Sequence, residues 1–202
     1  MAARGRPKGS DSAETKRKII NAARHEFANN GYDGAAILSI AENVGIAPSA
    51  IYHYFQSKEK LYVEVFESTA NAIWDSVTPS TQHETLTEAI EQLLAESRLL
   101  GDELPSYSDF LAALPIEARL HPQFSNLLSR RTEFQDRTFS SLAKIGIESG
   151  ELSFLDEKEA TELIRSLIMG WFFERHFRQE EVPLSGEAIV GMFKYLKDSN
   201  TQ

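Results

Sequence analysis

Four side chains close together in the sequence could read a nucleic acid: Ser49, Ala50, Tyr52 and His53. They lie in Pro48-Ser-Ala-Ile-Tyr-His-Tyr-Phe55. Ile51 and Phe55 are four apart and share one helical face, which turns the other four away from whatever that face packs on. A helix presenting small and aromatic polar groups outward suits the major groove, where base edges carry a distinct donor and acceptor pattern. Pro48 and Tyr54 belong to the same candidate set.

The preceding residues must position that helix. Ile40, Ala41 and Val44 share a face at i, i+1 and i+4. Gly45 then stands where the chain turns sharply and a missing Cβ costs least. Ile46 is the apolar residue of the turn, and Pro48 sits where a first helical turn tolerates proline. Ile37 to Phe55 therefore reads as a helix-turn-helix, with Ile51 and Phe55 packing back on Ile40, Ala41 and Val44. Ahead of it, Ala13–Asn29 reads as a helix with an Ile19, Ile20, Ala23, Phe27 stripe, ended by Asn30-Gly31.

Charge distribution agrees. Residues 1–60 carry 9 Lys and Arg against 6 Asp and Glu, whereas residues 61–202 carry 12 against 24. A basic front on an acidic rear is what a DNA reader joined to a non-DNA domain would show. Residues 1–12 are expected to be a flexible basic arm. Its Arg4-Gly5-Arg6-Pro7-Lys8 segment is narrow enough to lie in a minor groove, which would add Arg4, Arg6 and Lys8 to the DNA contacts.

Other chemistries lack support. No cysteine is present, which excludes disulfides and thiolate chemistry. His25, His53, His83, His121 and His176 have no ligand spacing, so no metal is expected. There is no nucleophile elbow, phosphate-cradling glycine loop or His-Glu-x-x-His pair, so neither an enzyme nor a cofactor is expected. No apolar run approaches the roughly 18 residues of a membrane span, and the basic N-terminus precedes no apolar stretch. A cytoplasmic setting follows as the default.

The rest of the chain reads as helices with no strand pattern. Ser57 is placed to cap a helix to about Ser76, and Thr78–Gln82 marks a boundary. Further helices are expected at 84–100, 106–113, 122–148, 157–177 and 186–197. The fold class is therefore all-α, divided into an arm at 1–12, a helix-turn-helix domain at 13–58 and a helical rear domain at 59–202.

The order of parts resembles the tetracycline-repressor (TetR) family of bacterial regulators. The match is Ile40-Ala41-Glu42, Gly45, Ile51-Tyr52-His53-Tyr54-Phe55, Ser57-Lys58-Glu59 and Leu61, within about residues 13–65. The resemblance implies a homodimer that binds a palindromic operator and releases it when a small molecule enters the rear domain. It also implies that Ser49, Ala50, Tyr52, His53 and Lys58 touch DNA. The family often has Thr or Ser where this chain has Ala35 and Ala36, and Ser-Lys where it has Ala47-Pro48. Hydroxyl and cationic phosphate contacts are thus missing, and the Arg4/Arg6 arm is expected to compensate.

Two rear-domain surfaces follow. The band Leu163, Ile164, Leu167, Ile168 and Trp171, with Ile189, Met192, Phe193 and Leu196, is too wide for one contact face and is expected to form a dimer interface. Trp74, Tyr107, Phe110, Phe124, Phe134 and Trp171, with Gln135 and Arg165 as polar groups, are expected to border a cavity for an apolar or amphipathic effector. A ligand-responsive repressor is the leading reading. A helical protein-interaction adaptor with a merely structural helix-turn-helix is the alternative.

Overall fold

The computed structural model describes residues 8–103, 105–177 and 186–200. Among these, every regular element is a helix, as expected. The α-helices are α1 (Lys8–Gly34), α2 (Ile37–Val44), α3 (Pro48–Phe55), α4 (Lys58–Val77), α5 (Leu86–Glu103), α6 (Pro105–Leu120), α7 (Ser125–Glu148), α8 (Glu157–Phe177) and α9 (Glu187–Asn200). Short 3-10 helices occupy Thr78–Gln82 and Pro122–Phe124.

Packing divides the chain into two compact units. One contains the described residues of 1–71 together with 106–128, and the other contains 72–105 and 129 onward. This partition differs from a linear division after residue 58. The helix α6 groups with the helix-turn-helix, and α4 begins in one unit and ends in the other.

In the first unit, Ile19, Ala23 and Phe27 of α1, Ile40 and Ala41 of α2, and Ile51 and Phe55 of α3 are all buried, as their spacing predicts. Leu61, Tyr62, Val65 and Phe66 of α4 and Phe110, Leu111 and Leu114 of α6 are buried as well. In the second unit, α5, α7, α8 and α9 enclose an apolar core around Leu86, Ile90, Leu142, Ile164 and Phe193.

Two boundaries depart from expectation. First, α1 starts at Lys8, five residues ahead of Ala13, so Lys8 opens a helix instead of ending an extended arm. An ion pair from Glu14 to Lys18, one turn apart at 3.2 Å, supports its early turns. Second, α6 continues through Pro115 instead of stopping before it. Proline removes one backbone hydrogen bond. Continuation buries Leu114 and Ala118 and brings Glu117 to Tyr32, whose backbone N–H donates to the Glu117 Oε1 at 3.1 Å. That bond holds the break in α1 at Gly31, where φ is 67° and a Cβ would stand 2.8 Å from the same oxygen.

Candidate nucleic-acid interface

The turn between α2 and α3 is built as its residues predict. Gly45 is left-handed (φ 76°, ψ 37°), and its N–H and that of Ile46 return to the Ala41 carbonyl at 2.9 and 3.0 Å. This closes α2 and aims the chain into Pro48, the first residue of α3. With Ile51 and Phe55 at 1% and 4% exposure, α3 is anchored on one side and free on the other. Pro48, Ser49, Tyr52 and His53 are exposed, Tyr52 by 47%. Ala50 and Tyr54 are half-buried at the edges of that face.

Behind α3, Ser57 caps α4 by accepting the Lys60 N–H at 3.0 Å. Lys58, half-buried, donates to the Asp33 carbonyl at 3.2 Å and lies 5.0 Å over the Tyr32 ring. Its position is therefore fixed by the end of α1. Arg4 and Arg6 lie outside the described residues.

Sequence reading missed two buried charges behind this face. Arg24 is 1% exposed and is held by neutral acceptors. It donates to Thr69 (2.7 Å) and Ser68 (3.0 Å) on α4 and to Asn21 (2.9 Å), while the Tyr107 ring of α6 lies 3.7 Å below the guanidinium. Burial pulls this guanidinium below its usual pKa, and Tyr107 opposes that pull. Arg24 thus ties α1, α4 and α6 together. Glu26, at 9% exposure, accepts the Ala36 N–H (3.1 Å) and the Ser39 hydroxyl (2.9 Å) at the start of α2. Partners 45 residues away for Arg24, and across the Gly31 break for Glu26, leave no local pattern to find.

The expected effector residues do not gather in one place. Phe110 and Phe124 are fully buried in the first unit, packed on Tyr62 with ring centres at 5.0 and 4.3 Å. They fill core instead of lining a cavity, because Phe27 and Tyr32 close the same cluster. Tyr107 is taken up by Arg24. The remaining five belong to the second unit. There Trp74 stacks on Phe134 at 4.8 Å, Gln135 donates to the Met169 sulfur at 3.5 Å, and Arg165 pairs with Asp136. The Arg165 Nε is buried with no hydrogen-bond partner. Trp171 is 6% exposed and belongs to the core of this unit.

The expected dimer band also splits. Ile164, Ile168, Trp171 and Phe193 are buried within their own chain and so have no surface to offer a partner. Leu163, Leu167, Ile189, Met192 and Leu196 are only partly buried, and Phe173 and Tyr195, not foreseen, are 58% and 70% exposed. A cleft of about 320 Å³ between α5 and α9, with Glu91, Leu94, Arg98, Glu187, Val190 and Lys194 on its walls, was likewise unforeseen. Among the described residues no group of His, Asp and Glu could hold a metal, and no helix is long and apolar enough to cross a membrane.

Comparison with known proteins agrees with this geometry. Residues 19–65 match the model for bacterial regulatory proteins of the tetR family. The HTH-type transcriptional repressor AcnR of Corynebacterium jeikeium is 44% identical over 61 residues, 29% of this chain and 32% of that protein. The chain therefore spans about a third of the length of that relative. The HTH-type transcriptional regulator YfiR of Bacillus subtilis is 25% identical over 151 residues, 72% of each chain. A transcriptional regulator from Saccharomonospora viridis, solved in complex with choline, shares the fold at a TM-score of 0.72 and 19% identity, covering 92% of this chain and 95% of its own. Over residues 19–65, which hold the helix-turn-helix, the chain is thus similar to the bacterial regulatory proteins of the tetR family, and its helical fold is shared with solved regulators.

Proposed function

We propose that this chain is a ligand-responsive transcriptional repressor that binds a palindromic operator as a homodimer. The observation that carries the reading is the α3 surface. Ser49, Tyr52 and His53 stand exposed on a helix whose opposite side is locked by Ile51 and Phe55. An exposed aromatic on so short and firmly anchored a helix serves contact, since it adds nothing to the core. Base edges would be met by Ser49, Tyr52 and His53. Phosphates would be met by Tyr54 and Lys58, by Lys8 at the start of α1 and by Arg4 and Arg6 ahead of it, with Pro48 and Ala50 packing against the DNA backbone. One such helix reads too few bases for tight binding, and a second copy one helical turn away, about 34 Å, supplies the rest. The partly buried and exposed apolar groups of α8 and α9, Leu163, Leu167, Met192, Leu196, Phe173 and Tyr195, offer the surface for that second copy.

An effector would act in the second unit. Arg165 Nε has no partner, and the Gln135 amide meets only a thioether, a weak acceptor. Beside the half-buried Trp74–Phe134 stack, those underused donors favour an amphipathic molecule with an oxygen acceptor. Choline in the Saccharomonospora viridis structure makes small-molecule response reasonable for this fold. Coupling would run along α4, which belongs to both units. The test is selection of bound duplexes from random DNA by the full chain. An inverted repeat with half-sites one turn apart is expected. Recovery of no enriched sequence would remove the reading.

A further inference from the structure

The helix α2 begins without a cap of its own. Its N-cap is Ala36, which makes no side-chain hydrogen bond, and Ala35 before it has no hydroxyl either. The first N–H groups of a helix form its positive end and attract an anion. In a helix-turn-helix the first helix crosses the DNA backbone, so a phosphate is the natural anion for that position. Here the position is already served from inside the chain. Glu26 accepts the Ala36 N–H through Oε1 at 3.1 Å and the Ser39 hydroxyl through Oε2 at 2.9 Å. It is 9% exposed, so it is held in the body of the module and does not sway on its surface.

We propose that Glu26 is a positioning residue of the reader that takes the anion place at the start of α2, setting the angle of α2 on α1 and weakening the attraction of a DNA phosphate there. This rests on the DNA-binding reading above. Its consequence is an asymmetry between charge and shape. The shape of the Glu26 contact favours DNA binding, because it fixes α2 and through Gly45 the placing of α3. The charge opposes binding, because a carboxylate beside the helix start offsets the positive end that would otherwise meet the backbone. A neutral side chain of the same shape would keep the first effect and lose the second.

The experiment compares Glu26→Gln, Glu26→Ala and, as a control, Glu42→Gln, an exposed carboxylate on α2 itself. Each full-length variant is titrated with a duplex recovered by selection with the unaltered chain, across a salt series, and its thermal unfolding is recorded. Glu26→Gln should unfold near the unaltered protein and bind about fivefold more tightly at low salt, the gain shrinking as salt screens the lost charge. Glu26→Ala should unfold earlier and bind more weakly at every salt concentration. Glu42→Gln should show less than half the Glu26→Gln gain. Equal affinity of Glu26→Gln and the unaltered chain, the same gain from Glu42→Gln, or unfolding of Glu26→Gln each overturns the proposal while the DNA-binding reading stands. Failure of the unaltered chain to bind any duplex overturns that reading and this proposal with it.

Discussion

Two glutamates, one in each unit, serve helix starts in different settings. Glu26 makes two hydrogen bonds at the rim of the reader. Glu151 is fully buried in the second unit, where it accepts the Leu86 N–H (2.6 Å), the Thr87 N–H (3.0 Å), the Thr87 hydroxyl and the Ser149 hydroxyl (2.7 Å). Burial raises the Glu151 pKa, but those four partners outweigh it and hold the carboxyl below its usual range. The chemical device is the same and the surroundings decide what it does. Sealed inside a core it contributes stability. Beside the face proposed to meet DNA, its charge would also enter the binding balance.

The largest expected effect breaks the buried member. Glu151→Ala should cost about 3 kcal/mol in urea unfolding, because it strands two backbone donors and two hydroxyls. The acid limb sharpens the contrast. Since the folded pKa lies below the unfolded one, the Glu151 contribution is fully present above the unfolded value and is lost as pH falls through the folded value. Glu151→Gln should therefore flatten the acid side of a stability profile measured against pH. Unchanged curvature would mean that Glu151 is not charged in the fold.

Next in size is Arg24→Ala, expected to lose about 2 kcal/mol as Thr69, Ser68 and Asn21 lose their donor and the Tyr107 ring loses its cation. Calorimetry of the full chain measures this, and Arg24→Lys should recover only part of the loss, because an ammonium cannot fork to the same acceptors. Smallest in stability is Tyr52→Ala, within about 0.5 kcal/mol in the same assay, because Tyr52 is half-exposed. Its operator affinity should nonetheless fall at least tenfold by gel shift, which separates surface function from structural support in the same unit.

The helix-turn-helix was legible because local chemistry dictates it. Gly45 needs its left-handed turn, Pro48 its first helical position, and Ile51 and Phe55 their shared face. The start of α8 follows the same local logic: Asp156 and Glu159 cap it reciprocally, at 3.1 and 2.8 Å. What escaped sequence reading depends on distant segments. Phe110, Phe124, Trp74 and Phe134 look alike in a hydropathy plot. Only packing shows the first pair sealed among rings and the second half-open. Continuation of α6 through Pro115 was hidden because the gain, Glu117 reaching Tyr32, lies 85 residues away. The Glu26 cap is close in sequence, but it forms only after α1 breaks at Gly31.

The central claim is that the exposed face of α3 reads DNA from a chain whose net charge is -9. Affinity of the full-length protein for double-stranded DNA, measured against salt, tests it most directly. If a dimer neutralises about eight phosphates, the logarithm of the binding constant should fall with the logarithm of salt at a slope near -7. A flat dependence, or no retained duplex at low salt, would contradict the account.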